Sequence, residues 1–493
     1  MEVTQHLVRG LTLSRPPAGW FRRMLGEWRP SAVTLGAPVF PLVVLFGLNA
    51  VDELDRTAFA VLLPDIRDHF GLSDAGALAL VAASTIAVLV IEVPLSFYCD
   101  RRSRVRIATV GAAVWAAFSV GTGLAVSVGM LVAMRVGAGS GRAVVTPTHS
   151  SLLSDYYEPA ARVKVFSAHR QANSVGQIIG PLGAGLLAYH LGWRAPFIIF
   201  GIPTLVFVVL ALRLREPVRG AHERRAAGAD EAAAGVEEPA ERVWPTMRTL
   251  GQVRTVRRIW MAVPFLGIAL FGIPNLLSLI YEDVYGLNAA HRGFIAAGIE
   301  PLQIAGVFAA MPLVARIAVT RPEFLLRFVA IVGVVDGLLL VVLAYAPHVA
   351  VAIGVHAVLA ASIGTLAPAF YALVSLVAPP RVRSAAFSTM SVFAIPGIAV
   401  FLPLIGAVSD ALGIQASMIV MVPVSLAAGL VLASAHRFVR ADIDSVRVES
   451  LARITAMQDS VGAQSSQDAP VAVEGTTTPE GPDHQRNGTA SRP

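Results

Sequence analysis

The 493-residue chain is 55% hydrophobic and only 15% charged, with a mean hydropathy of +0.65, more apolar side chain than a soluble domain needs for its core. That composition excludes an ordinary soluble protein and reads as a polytopic membrane protein. The single cysteine, Cys99, excludes an internal disulfide framework and a cysteine-based metal site. The chain has no GxxxxGK[ST] phosphate loop, which disfavours an ATP-driven pump.

Residues 1–36 read as a cytoplasmic segment with no cleavable signal peptide, because no short apolar core there precedes a small-residue cleavage site. Within it GWFRRMLGEWRP, residues 19–30, interleaves Trp20, Phe21, Leu25 and Trp28 with arginine; it suits a helix at the membrane interface or a plain juxtamembrane tether. Twelve apolar segments of spanning length follow, near 38–63, 75–98, 105–126, 129–153, 163–190, 194–213, 259–282, 290–316, 324–346, 348–377, 384–409 and 414–437. Six lie in residues 37–214 and six in 259–438. The charged, alanine-rich stretch 215–258 connects them. Residues 439–493 turn to Ser, Gln, Thr, Pro, Gly and charge, a composition too polar to fold that reads as a disordered tail.

With a cytoplasmic N-terminus, the inner loops and connector hold 21 basic residues and the outer loops only Arg67, Arg194 and Arg292. The positive-inside rule therefore places both termini in the cytoplasm. The net charge of +6 becomes a topology signal, and nucleic acid drops out as a partner. Lys164 is the one lysine among 39 basic residues, which fits a gene of high GC content and a bacterial inner membrane.

The first span, LFGLNAVDELDRTAFAVLLP at 45–64, contains Asp52, Glu53, Asp55 and Arg56. Asn49, Asp52 or Glu53, and Arg56 recur every three or four residues, one face of a helix. Arg135, Gly139, Arg142, Thr146 and His149 make a similar stripe in the fourth span, and Arg170, Asn173, Ser174 and Gln177 in the fifth. A charge facing lipid costs roughly 2.5 kcal/mol or more, so these faces point at a cavity or at each other. Asp52, Glu53, Asp55 and Glu92 set four negatives against Arg56, Arg142 and Arg170, leaving one acid unmatched. Such an acid in a low-dielectric site can bind and release protons. Asp52 or Asp55, then Glu53, are the leading coupling candidates, with Arg142 as partner or anion anchor. The alternative is a set of structural ion pairs that moves no proton. The second half offers Glu300, Asn275, Gln303, His356, Thr365 and Tyr371 as cavity contacts, and Asp336 on a peripheral helix. His149, His169 and His356 are expected as isolated packing residues. No catalytic constellation, metal site or cofactor motif stands out.

The halves echo each other in GPLGAGLLAYHLGW (180–193) and LPLIGAVSDALGI (402–414), and in Pro94 and Pro312, as repeat-built transporters do. Gly176, Gly180 and Ala184 recur every four residues, a stripe that admits another backbone closely. SFYCDRRSRVR resembles the cytoplasmic loop signature of the major facilitator superfamily, matching at Asp100, Arg101 and Arg104, with Ser96 where that family prefers glycine. RVGAGSGRA is similar to its Arg-plus-glycine motif at Arg135 and Gly139. GQIIGPLGAG is similar to the motif of its antiporters at Gly176, Gly180, Pro181 and Gly185.

The resemblance covers about 36–438. It implies an all-α fold of 12 transmembrane helices in two pseudo-symmetric six-helix halves, with the first, fourth, seventh and tenth helices lining a cavity. It also implies a latch from Asp100 to the start of the eleventh helix near Ser384, with Arg101 and Arg104 facing lipid headgroups or completing the network. Asp55 and Arg56 sit in a phrase most similar to spinster-like and organic-anion carriers. Those relatives often place an acid where Arg142 stands, a departure that points to an anionic substrate. The expected protein is a monomeric secondary transporter of a small organic solute, an organic anion or amphipathic metabolite, driven by protons rather than ATP. A proton-antiport drug exporter and a non-transporting receptor or scaffold are the alternatives.

Overall fold

The computed structural model describes residues 29–99, 102–218, 243–378 and 383–467, which are helical apart from short connections. In chain order the helices are α1 (Pro30–Val33), α2 (Phe40–Phe70), α3 (Asp74–Cys99), α4 (Arg104–Gly123), α5 (Val128–Arg142), α6 (Val145–Tyr156), α7 (Pro159–Leu191) and α8 (Arg194–Ala211). The second half follows as α9 (Val243–Gln252), α10 (Arg254–Asp283), α11 (Ala289–Thr320), α12 (Phe324–Ala344), α13 (Val349–Val377), α14 (Arg383–Leu412) and α15 (Ile414–Gln467). Among the described residues ten stretches are long and apolar enough to span a membrane, α5 and α6 counting as one. The two remaining long helices, α2 and α7 with 31 and 33 residues, are the ones whose charges the sequence singled out. Together they make six spans on either side of the connector.

Local chemistry sets the ends. Gly71 closes α2 in the left-handed region at φ 63°, and the amides of Gly71 and Leu72 return to the carbonyls of Asp68 and Arg67 at 3.3 and 2.9 Å. Ser103, Ser127 and Asn288 cap α4, α5 and α11 through their side-chain oxygens.

Three features differ from the sequence reading. The fourth span is not continuous: it breaks at Ala143 and Val144 between α5 and α6. Pro147 has no N–H to offer the Ala143 carbonyl, and its ring crowds that carbonyl. The connector contains the helix α9, whose Leu250 is fully buried. The expected disordered tail is helical as far as Gln467, because no glycine precedes Gly462 and no proline precedes Pro470 beyond the last span to stop it. The described residues from Asp444 to Gln467 belong to a second compact unit. The expected interfacial helix at 19–30 lies outside the described residues.

Lipid tails are as apolar as leucine, so close packing holds these helices together. The glycine stripe of α7 supplies it. A Cβ on Gly176 would come within 2.6 Å of the Ala50 carbonyl and 3.0 Å of the Leu54 amide, and one on Gly180 within 2.8 Å of the Leu54 carbonyl. Farther along, a Cβ on Gly293 of α11 would press on the Pro181 carbonyl and lie 3.1 Å from the Gly185 Cα. One helix thus packs backbone-to-backbone on α2 of its own half and α11 of the other. Gly180→Leu forces these backbones apart and destabilises the fold by about 1–3 kcal/mol, whereas Gly298→Leu, with nothing within 4 Å of its Cβ, is neutral; thermal unfolding of both variants in detergent checks this.

Candidate functional site

The polar faces of α2, α5–α6 and α7 converge. Arg142 Nε lies 2.5 Å from Asp52 Oδ1. Glu53 accepts from Arg56 one turn on, with the Gln177 side chain of α7 nearby. Asn49 donates to Asn173 Oδ1 at 2.5 Å and to the His169 carbonyl at 3.2 Å. Below them His149 Nδ1 and His169 Nε2 are 3.1 Å apart, and the His169 ring neighbours the Leu45 carbonyl. The column from Leu45 to Arg56 covers about 16 Å at 1.5 Å per residue. It corrects the expectation of isolated histidines: His149 and His169 stand 20 residues apart on two helices, so no local pattern showed the contact.

Asp55 belongs elsewhere. It is 1% exposed, accepts from Ser119 of α4 and from Arg135 Nη1 at 3.1 Å. The Arg135 guanidinium stacks on Phe59 at 4.1 Å and reaches Phe197 at 5.9 Å. This pair lies inside the first half, away from the open face where the Arg56 side chain is 41% exposed. Arg170 is exposed on α7, and Glu92 is half-buried on α3. Gly139 packs on α3, where a Cβ would meet the Ser84 carbonyl at 3.1 Å.

The second half contributes Glu300 of α11, 9% exposed, with Glu53 and Arg56 as its charged neighbours. Asn275 donates to the Phe271 carbonyl at 2.9 Å, Thr365 to the Ser362 carbonyl at 2.8 Å, and His356 Nδ1 lies 3.0 Å from the Tyr281 hydroxyl. Gln303 packs by its backbone carbonyl against Gly364 of α13. Asp336 is buried in α12, facing Ser362. The side chains of Ser96, Thr146 and Tyr371, and residues Asp100 and Arg101, lie outside the described set.

Arg104 does not face headgroups. It is 1% exposed and clasps Asp155, Ser151 Oγ at 2.7 Å, the Pro217 carbonyl at 2.9 Å and Glu216 at 2.9 Å. Burial pushes the Glu216 carboxyl up, but the Val105 amide, the Arg104 guanidinium and Ser103 outweigh it and hold the carboxyl below its ordinary range. A depressed value adds stability above the unfolded range of about 4.3 that is lost as pH falls through the folded value. Glu216→Gln flattens that acid limb and lowers the melting temperature at pH 7 by about 2 °C, as a pH series of melts will show.

The end assigned to the outside is closed by contacts the sequence reading missed. Arg67 grips Asp283 at 2.7 and 2.8 Å and Asp74 at 2.7 Å. Arg292 holds Asp65, Glu282 at 3.1 Å and the Val61 carbonyl at 3.3 Å. Asp410 accepts from the Asp74 and Ala75 amides at 2.7 and 3.1 Å, and Ser409 donates to Asp74. The signal was present: two of the three outer arginines sit among the acids flanking the outer ends. Losing one charge-assisted bond of about 1.4 kcal/mol shifts an equilibrium about tenfold. Arg67→Ala therefore raises alkylation of Ser278→Cys, buried beneath this seal, about tenfold by an impermeant maleimide in a Cys99→Ser background.

A family profile described as Major Facilitator Superfamily matches residues 45–394. Protein spinster of Drosophila melanogaster is 28% identical over 232 residues, 45% of this chain and 38% of that protein. A probable L-galactonate transporter of Escherichia coli (strain K12) is 24% identical over 161 residues, 33% of this chain and 36% of that one. The chain thus spans under two fifths of these relatives' length. The crystal structure of a bacterial homolog to the human lysosomal transporter Spinster, inward-facing and unoccupied, matches with a TM-score of 0.69 at 20% identity, over 82% of this chain and 98% of that one, a likeness of fold.

Proposed function

This chain belongs to the major facilitator superfamily, and from that premise we propose that it is a secondary active transporter of a small organic solute in a bacterial inner membrane. Its two halves rock around a site near the bilayer midplane, with both termini and the connector in the cytoplasm. The carrying observation is the meeting of Asp52–Arg142 and Glu53–Arg56 with Glu300 of the other half, beneath a separately closed outer end. Charges at that depth are costly and are kept for a ligand or ion path.

Arg56 and Arg142, both partly exposed, favour an organic anion or amphipathic metabolite, with protons as the coupling ion and the monomer as the working unit. The L-galactonate relative, named for an organic anion, supports the same class. The glycine-proline motif of α7 favours a second reading, export of drug-like compounds by proton exchange. The convergence of the three polar faces counts against a receptor or scaffold without a transport path.

Proteoliposomes containing a pH dye test the proposal against pools of sugar acids, other organic anions and amphipathic cations. An anion-dependent pH change, cut about tenfold or more by Arg142→Ala, is expected. A response to cations alone supports the exporter, and no flux of any solute overturns transport.

A further inference from the structure

The three acids at the middle of α2 are each matched by an arginine of the same half: Asp52 by Arg142, Glu53 by Arg56 and Asp55 by Arg135. Glu300 is different. Among the described residues it makes no hydrogen bond or ion pair.

Two helix registers fix where Glu300 sits. Gly293 of α11 abuts Pro181 and Gly185 of α7. Seven residues on, two turns along the same helix face, is Glu300. α7 runs antiparallel to α11, and seven residues back from its midpoint at 183 is Gly176, whose Cβ would lie 2.6 Å from the Glu53 Cβ. The second register agrees. Arg292 of α11 bonds the Val61 carbonyl of α2, and eight residues inward on each helix are Glu300 and Glu53. Glu300 therefore faces the Glu53–Arg56 pair across the boundary between the halves.

We propose that Glu300 is the proton-carrying carboxyl of this site and that it shares Arg56 with Glu53 across the two halves. The inference rests on the transporter reading and assigns its coupling residue. Two carboxyls around one guanidinium are balanced when one is ionised and the other holds a proton, and the carboxyl without a bonded partner at membrane depth keeps it. While Glu300 is protonated, Arg56 stays with Glu53 and the halves are separate at this level. When the proton leaves toward the inner side, the Glu300 carboxylate competes for Arg56 and draws α11 against α2, narrowing the inner cavity. The helices packed on α11 also carry Asp52 on α2, Gln177 and Arg170 on α7, Asn275 on α10, Asp336 on α12, and His356 on α13, held by Tyr281. Asp52 is already held by Arg142.

Spin labels at Lys164→Cys and Val319→Cys, exposed at the inner ends of α7 and α11, read the gap between halves in a Cys99→Ser background. With no solute present, the wild-type side chains should give a shorter distance at alkaline pH and a longer one at acid pH. Glu300→Gln should fix the long distance at every pH. Glu53→Gln, which frees Arg56 for Glu300, should fix the short one, and Glu300→Asp should keep a pH response. The opposite locks distinguish coupling from a structural role. A pH response that survives Glu300→Gln, one abolished by Asp52→Asn alone, or no response in the parent overturns the proposal. Solute flux is not part of the readout, so a failed transport reading and a failed role for Glu300 give separate results.

Discussion

Lipid offers a charged side chain nothing to bind, and the charges on α2 therefore dictate how the first half is assembled. Asp55 draws in Arg135 and Ser119 from α5 and α4. Asp52 takes Arg142, Glu53 takes Arg56, and Asn49 takes Asn173 of α7. One helix thereby ties three others. Removing one partner leaves a buried charge uncompensated, a loss of about 3–5 kcal/mol. The break after Arg142 puts the last turn of α5 beside Asp52 with its helix interrupted at the depth where ligands of such folds bind.

The two halves meet by weaker and more separable means. Small residues let backbones touch: Gly185 and Gly293 between α7 and α11, and Gly406 against Ala75 between α14 and α3. Gly185 and Gly406 belong to the two echoing sequence segments, so the internal repeat corresponds to a pair of related contacts on the outer seal. Around them lies an ionic rim of Arg67, Arg292 and their acids. Arg292 is buried and Arg67 largely so, while the acids around them are partly exposed, so each charge-assisted bond contributes about 1.5–3 kcal/mol, enough together to hold one end closed.

Much of this architecture was legible in the sequence, because membrane spans announce themselves by length and the polar faces by their 3.6-residue period. The faces of α2, α5–α6 and α7 were found that way, and their convergence follows from the cost of exposing charge to lipid. Contacts between residues distant in sequence were not legible. Arg135 reads as a helix-packing motif rather than the partner of Asp55, which puts the acid without a partner in the first half, whereas the structure leaves Glu300 and Asp336 without one in the second. His149 and His169 read as isolated, and Arg104 as facing headgroups or completing a network around Asp100, whereas it binds Asp155 and Glu216. The outer arginines were counted only as exceptions to a topology rule. Their neighbours, Asp74, Asp283 and Asp410, come together only once the helices are packed.

The central claim is that two internally tied halves move against each other around the Asp52–Glu53–Arg56–Glu300 level. Pulsed electron paramagnetic resonance in lipid nanodiscs tests it most directly, with one label pair across the halves at Ser73 and Leu412 and another within the first half at Ser73 and Val126, all exposed at the outer end. The account predicts at least two distances for the first pair, their weights changing with pH, and one unchanging distance for the second. A single fixed distance for the first pair under all conditions, or a second pair that varies with it, would contradict the account.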